Sequence, residues 1–271
     1  MKRILVLADF HCGHLAGLTP PRWQLRPKQD KGSPSKRAKF LRVQEEAWTW
    51  YSKAVAKFRP YDHIVLNGDA IDGRGERSGS TELITVDREE QRDMAIVCVQ
   101  RAMGANRVPF TLTFGTAYHT GDQEDFEREI ANCFGGKSGS HEWLEAEGKV
   151  LDFRHHVGSS TVPHGRATPV LKEGLWNTLW ALKEEAPQAD VIVRSHVHHY
   201  QCIENDLGVF VTTPALQAGA TKYGGRRCSG TISFGFVVID VDRSAGPGEE
   251  ICVRGVRTRL KSLYPKVEKV R

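Results

Sequence analysis

The sequence predicts an α/β protein, on three observations. Short apolar runs, each the length of a buried strand, alternate with longer segments of helical period through most of the chain. The first of these runs end at glycine, aspartate or histidine, the residue types that gather where strands of an open α/β sheet reach their carboxyl edge. Beyond Tyr200 the helical period fades, and short β-rich runs alternate with polar turns, which predicts a second sheet built largely antiparallel. With 271 residues, 39% hydrophobic and 26% charged, the chain has the composition of a globular protein large enough for one sizeable core. It shows no internal repeat and no clear linker, so residues 1–271 read as one domain.

Ile4 to Ala8 is a continuous apolar run, as expected of a strand covered on both faces. It ends in Asp9-Phe10-His11, whose first and third side chains can point to one side of an extended segment. Pro20 to Ser35, rich in proline, glycine and lysine, reads as a long loop, a candidate lid inserted at about residues 20–40. Phe40 to Phe58 reads as a helix, with Leu41, Ala47, Trp48, Tyr51, Val55 and Phe58 near helical spacing and Pro60 as its stop. His63 to Leu66 is a second strand, and Gly68 permits a tight turn that presents Asp69 at the same sheet edge as Asp9. A polar loop over Arg74 to Ser80 leads to a helix over Glu82 to Met103. Val108 to Phe114 is a third strand, ending Gly115-Thr116-Ala117-Tyr118-His119-Thr120-Gly121-Asp122.

A short helix over Glu124 to Cys133 follows, then a strand over Lys149 to Arg154 that runs into His155-His156. Arg166 to Glu185 reads as a helix with Leu171, Leu175, Leu179 and Leu182 on its apolar face and Pro187 at its end. Ala189 to Arg194 is a strand leading to Ser195-His196-Val197-His198-His199. Val209 to Thr213 and Ile232 to Val241 are assigned to the second sheet, and Lys261 to Arg271 is a basic tail.

Charge and cysteine usage exclude several classes. No apolar run approaches the roughly 20 residues that span a bilayer, and five apolar residues after Met1-Lys2-Arg3 are too few for a signal peptide. A cytoplasmic protein without a membrane partner is therefore expected. The six cysteines are scattered without a Cys-x-x-Cys pair, which argues against a disulfide framework and a zinc–thiolate site. Net charge is +5, concentrated between Arg22 and Arg42, where eight basic residues face Asp30 alone. That run reads either as a basic arm for nucleic acid or another polyanion, or as a solvated loop entering a helix. A serine hydrolase would need a Gly-x-Ser-x-Gly elbow, and a dinucleotide-binding domain a glycine-rich first turn; neither is present.

Seven of the eleven histidines, His11, His119, His155, His156, His196, His198 and His199, fall at strand ends beside Asp9 and Asp69. Imidazole and carboxylate donors without thiolate suit manganese, iron, zinc, nickel or cobalt. So many donors exceed the needs of one ion and suit two, about 3.5–4 Å apart.

In this order the blocks resemble the calcineurin-like metallophosphoesterases, whose signature runs Asp-x-His, Gly-Asp, Gly-Asn-His-Asp/Glu, an isolated strand-end His, and Gly-His-x-His. Asp9-Phe10-His11 matches the first block, Gly68-Asp69 with Asp72 the second, His155 the isolated histidine, and Ser195-His196-Val197-His198 the last with serine for glycine. The resemblance implies a four-layer sandwich of two facing mixed sheets flanked by helices. It implies that Asp9, His11 and His198 hold one metal, that Asp69 bridges, and that His155 and His196 hold the second. Two divalent ions, Mn2+ first among them, with a bridging hydroxide as nucleophile, follow from it. The third block departs: Thr116 and Ala117 stand where the family has its asparagine ligand and its histidine. His119, two residues on, either replaces the asparagine as a second-metal ligand or acts as general acid. Tyr118, His156 and His199 remain as substrate contacts. The Gly-Thr-x-x-His variant is similar to metallophosphoesterases of bacterial viruses and prophages, which implies a bacterial or phage-infected cell.

The expected activity is therefore metal-dependent phosphoester hydrolysis, with a phosphodiesterase or nuclease acting on nucleotides or nucleic acid placed first by the basic segments. A phosphomonoesterase or protein phosphatase of the same chemistry is the runner-up. A nucleic-acid-binding factor with a degenerate metal site is the competing class.

Overall fold

The computed structural model describes residues 1–26, 36–120, 125–219, 221 and 232–264. The centre of the expected lid (27–35), Cys228 and the tail beyond residue 264 lie outside the described residues, as do residues 121–124. In chain order the elements are β1 (Lys2–Leu7), α1 (Lys36–Lys57), β2 (His63–Asn67), α2 (Arg88–Met103), β3 (Phe110–Thr113), α3 (Ala117–Thr120) and α4 (Phe126–Cys133). They continue with β4 (Lys137–Gly139), β5 (Glu142–Ala146), β6 (Lys149–Arg154), α5 (Thr168–Leu182), β7 (Val191–Arg194), β8 (Gln201–Asn205), β9 (Gly208–Thr212), β10 (Phe234–Val241) and β11 (Ile251–Thr258).

Two mixed sheets face each other with helices on both outer sides. The first has the order β11-β10-β1-β2-β3-β4, and the second β5-β6-β7-β9-β8. β1, β2, β3 and β4 run parallel, while β10 adds antiparallel to β1 and carries β11. In the second sheet β6, β7 and β9 are parallel, and β5 and β8 pair antiparallel at the two edges.

The period of two sorts the apolar side chains into layers. On β1, Leu5 and Leu7 face the helices with Ile64 and Leu66 of β2, while Ile4 and Val6 face the second sheet. The layer between the sheets is filled by these with Val65, Leu151, Phe153, Val191, Val193, Val209, Val211, Val237, Ile239 and Val241. Burial on both faces is why β1 and β2 read as unbroken apolar runs. Helix α1 lays Phe40, Val43, Ala47, Tyr51 and Val55 on the other face of the first sheet, at spacings of three and four.

Four sequence expectations are corrected. The second sheet is mixed, not largely antiparallel, because the crossover through α5 makes β6 and β7 parallel. The run Ile232 to Val241 belongs to the first sheet, where β10 pairs with β1; its period fixes a strand but not its neighbour. The helix expected from Glu82 starts at Arg88, since Asp87 caps it by accepting from the Glu89 and Glu90 N–H groups, and Leu83 bridges back to His14. The apolar face assigned to α5 is buried only at its start: Leu171 packs inward with Val170, Gly174 and Asn177, while Leu175, Trp176, Leu179 and Leu182 are exposed. β4 and β5, short and only half-buried, had no apolar run to betray them. No helix among the described residues is long and apolar enough to cross a membrane.

Candidate metal centre

The carboxyl ends of β1, β2, β3, β6 and β7 meet at one edge of the facing sheets, and the loops leaving them carry nearly all the residues singled out above. The first two loops run side by side: the Asp9, His11 and Cys12 N–H groups donate to the carbonyls of Gly68, Asp69 and Ala70. A network beneath them ties the two sheets together. Asn67 donates to the Ser195 hydroxyl (2.7 Å) and accepts from the Thr113 hydroxyl (2.7 Å), while the Thr213 hydroxyl donates to Ser195 (2.8 Å). The serine that replaces glycine in the last block is thus a buried acceptor between sheets.

The backbone is bent hard to converge these side chains. Asp9, His11, Asp69, His196 and His198 all have left-handed φ, between 45° and 69°. Non-glycine residues seldom adopt that region, and such outliers gather at functional sites. Close approach demands glycine at two other points. A Cβ on Gly68 (φ 81°) would stand 2.4 Å from His155 Nδ1, and one on Gly115 would stand 2.3 Å from Asp69 Oδ1.

Three sets of donor atoms result, each within 4.8 Å of one another: Asp9, His11 and His198; His11, Asp69 and His119; and Asp69, His155 and His196. Asp69 and His11 are each shared by two sets, so the three form one continuous cluster. His119, expected as a second-metal ligand or a general acid, groups instead with His11 and Asp69 and not with His155 and His196, its Nε2 3.9 Å from Asp69 Oδ2 and its ring 4.6 Å from that of His11. Tyr118 and His156 stand at the margin. The Tyr118 ring is 5.0 Å from His119, and the exposed His156 ring is 4.8 Å from His196. His199 turns its Nδ1–H to the Val197 carbonyl and belongs to none of the sets.

Hydrogen bonds fix the ring orientations. Nδ1 of His155 donates to the Asn67 carbonyl (2.8 Å), Nδ1 of His11 to Asp72 Oδ1 (3.0 Å), and Nδ1 of His119 to the Asp72 carbonyl (2.8 Å). Nε2 of each ring then points inward, as in metal sites where an outer oxygen holds the ring. In the metal-free centre burial lowers His155, but Asp69 outweighs it and raises the ring to about 10, so a cation bound there displaces a proton. The inner atoms are left unsatisfied: both carboxylate oxygens of Asp9 and Nε2 of His155 are buried without a hydrogen-bond partner. Asp9 Oδ1 lies 3.1 Å from His198 Nε2, and Asp69 Oδ2 3.1 Å from His155 Nε2, but neither contact has hydrogen-bond geometry. Buried, orphaned lone pairs crowded at this distance are costly alone and fit a bound cation.

Electrostatics favour the same occupant. Burial pushes the Asp69 carboxyl up, but His155, then His119 and His11, outweigh it and hold the group well below the ordinary carboxylate range. Asp9 is held down against burial chiefly by His198. Burial and the His155 charge lower His196 to about 4, leaving it a neutral donor.

Two further residues shape the centre. Thr116, expected only as a departure from the pattern, donates its N–H to Asp69 Oδ1 (2.6 Å), and its hydroxyl lies 3.4 Å from both Asp69 Oδ2 and His196 Nδ1. Glu127, fully buried on the first turn of α4, accepts from the Ala70 N–H (3.0 Å) and the Gly115 N–H (2.7 Å), clamping the loop of Asp69 to that of Thr116. Nothing in the sequence marks Glu127, which lies outside every block of the pattern.

No family model matches the chain, and no curated protein matches it. Among solved structures it is similar to wild-type Vps29 complexed with zinc from Entamoeba histolytica, at 12% identity over 94% of this chain and 99% of that one, with a TM-score of 0.42. An archaeal phosphodiesterase is similar at 11% identity over 95% of this chain and 100% of that one, TM-score 0.43. A predicted phosphoesterase from Streptococcus pneumoniae is similar at 12% identity over 93% of this chain and 98% of that one, TM-score 0.36.

Proposed function

We propose that the chain is a dinuclear metal-dependent phosphoesterase that acts on phosphodiesters, with nucleotides or nucleic acid as the first substrate class. The observation that carries this reading is the continuous cluster of Asp9, His11, Asp69, His119, His155, His196 and His198, with the buried lone pairs of Asp9 and His155 unpartnered inside it. In this reading Asp9, His11, His119 and His198 hold one ion, His155 and His196 the other, and Asp69 serves both. Two divalent ions there, manganese first among the candidates, would polarise the phosphoryl oxygens and lower the pKa of the attacking water.

The chain's own residues prepare that chemistry. Asp72 holds two rings at once, His11 through its carboxylate and His119 through its carbonyl, so both present Nε2 to the cluster. The Asn67 carbonyl does the same for His155, and the Thr116 N–H fixes Asp69. Tyr118 and His156 would meet the substrate at the rim, whereas His199, with Nδ1 on the Val197 carbonyl and Nε2 buried, is left out of that role. The preference for diesters rests on the basic stretch Arg22 to Arg42 and the basic tail.

The test pairs wild type with Asp69→Asn, supplying manganese, nickel, zinc and magnesium separately. It measures bound metal and hydrolysis of a bis-aryl phosphodiester and an aryl monophosphate. Near two ions per chain, with diester turnover that collapses in the variant, is the expected result. No hydrolysis of either ester by the metal-loaded wild type would refute the reading.

A further inference from the structure

We infer that the Thr116 hydroxyl is a ligand of the second ion, completing the set Asp69, His155 and His196 at the place where the resemblance expects an asparagine amide. The inference rests on the two-ion reading above and concerns a residue that the pattern does not supply. Its ground is a distance pattern. Two donors held about 2.1 Å from one ion at angles of 90–110° stand roughly 3.0–3.4 Å apart. Oγ1 of Thr116 is 3.4 Å from Asp69 Oδ2 and 3.4 Å from His196 Nδ1, and Asp69 Oδ2 is 3.1 Å from His155 Nε2. These are edges of a coordination polyhedron.

The alternative, that the hydroxyl serves only as a hydrogen-bond donor to Asp69, fits less well. Asp69 already takes a short bond from the Thr116 N–H at Oδ1, and the hydroxyl stops at 3.4 Å from two acceptors instead of closing on either. A threonine hydroxyl on a divalent ion has a parallel in P-loops, where it binds Mg2+. As a neutral, hard oxygen it adds no charge and favours manganese or magnesium over softer ions.

The experiment titrates metal-free protein with Mn2+ by calorimetry and records electron paramagnetic resonance of the loaded forms, for wild type, Thr116→Val and Thr116→Ser. Valine keeps the shape and the backbone N–H to Asp69, and circular dichroism confirms the fold. The expected result is two ions in wild type and in Thr116→Ser. In Thr116→Val one of the two sites should lose at least about tenfold in affinity, with loss of the spin-coupled manganese signal and the other site unchanged. Both sites at wild-type affinity in Thr116→Val would overturn the inference while leaving the two-ion reading intact. Fewer than two ions in wild type would overturn both.

A separate observation carries a second inference. Helix α5 packs Val170, Leu171, Gly174 and Asn177 inward, yet exposes Leu175 (55%), Trp176 (51%), Leu179 (39%) and Leu182 (77%). With the half-buried Trp180 stacked on Trp176 they form one stripe. Its apolar area is roughly 500 Å² by side-chain size, within the range of functional patches and most of the roughly 800 Å² that each partner gives a standard interface. We infer that the occupant is a second copy of this chain, packed antiparallel about a two-fold axis. The charges suit that geometry. With the axis at the middle of the stripe, exposed Lys172 of each copy meets exposed Glu184 and Glu185 of the other.

Sedimentation across micromolar concentrations tests it, for wild type, Trp176→Glu and the charge reversal Lys172→Glu, alone and combined with Glu184→Lys and Glu185→Lys. A wild-type dimer, dissociated by Trp176→Glu, weakened by Lys172→Glu and restored by the triple variant, is expected. A wild type that stays monomeric, or a dimer untouched by Trp176→Glu, would overturn it.

Discussion

Replacing Glu127 by glutamine should make the metal-free protein more stable at pH 8 while loosening the metal centre. Burial pushes the Glu127 carboxyl up to about 7; the Ala70 N–H pulls it down, the Asp69 charge raises it again, and the Gly115 N–H lowers it. A carboxylate raised above its unfolded value near 4.5 binds its proton more tightly in the folded state. Its contribution to stability therefore declines as pH rises between about 4.5 and 7, and is constant above. Glutamine is close to the protonated carboxyl in shape and in having one acceptor oxygen, and it does not titrate. Linkage then gives a variant more stable than wild type by about 1 kcal/mol at pH 5 and about 3 kcal/mol at pH 8.

Urea denaturation in the presence of a chelator, at pH 5 to 8, measures this. Histidines distant from Glu127 cancel in the difference between the two proteins, and His155, which interacts with it, is raised to about 10 and does not titrate in this range. The gain has a cost. Only the ionised carboxylate can accept from Ala70 and Gly115 together, so glutamine turns a donor towards one of those N–H groups and lets the two loops part. Manganese affinity should fall about 10–100-fold, as when an outer support of a metal site is lost. A difference in stability that stays flat from pH 5 to 8, or a variant less stable at pH 8, would refute the reasoning.

Gly68→Ala should cost about 1–3 kcal/mol, since φ is 81° and the new Cβ would strike the His155 ring; loss of bound metal, read by atomic absorption, should accompany the lowered urea midpoint. Arg194→Met should cost about 3–5 kcal/mol, because the buried guanidinium binds Asp152 (2.5 Å) and Glu173 (3.0 Å); the same titration checks it, and Asp152→Asn added on top should recover part of the loss. Asp240 is pushed up by burial, but Arg3 and Arg254 outweigh this and hold it below the ordinary range. Its stabilisation is thus complete above about pH 4 and lost as pH falls through the lowered value. The stability gap between wild type and Asp240→Asn should shrink towards zero on acidification, as followed by thermal melts.

What the sequence revealed follows from where information is local. β1 and β2 were legible because burial on both faces leaves an unbroken apolar run, and each run ends at the carboxylate it presents. The assignment of β10 was not, because its eight buried residues would suit the centre of either sheet; pairing with β1 is a long-range choice. Helix α5 misled for a different reason. Its leucines mark an amphipathic helix correctly, but period alone does not say whether the apolar face meets the sheet or another surface. In the centre, Asp9, His11, Asp69, His155, His196 and His198 come together from separate blocks whose residue types announce metal chemistry. Thr116 and Glu127 were illegible, since a hydroxyl and a lone glutamate gain meaning only from what stands 3 Å away.

The backbone of the centre adds a constraint that residue types do not express. Five of its metal-competent residues sit at left-handed φ, where sequence preference would place glycine or asparagine. At about 1–2 kcal/mol each, the strain totals roughly 5–10 kcal/mol, comparable with the whole net stability of a domain. The paired loops offset part of it through the bonds from Asp9 and His11 to the second loop and from the Ser195 N–H to the His155 carbonyl. The unpartnered oxygens of Asp9 add to the cost, so the metal-free centre is expensive to hold together. A cation that binds only the folded arrangement stabilises the chain by mass action, and more so the tighter it binds. Strain, orphaned lone pairs and depressed carboxylates thus have one physical resolution in common, which is why the cluster reads as a binding site and not as a buried polar network.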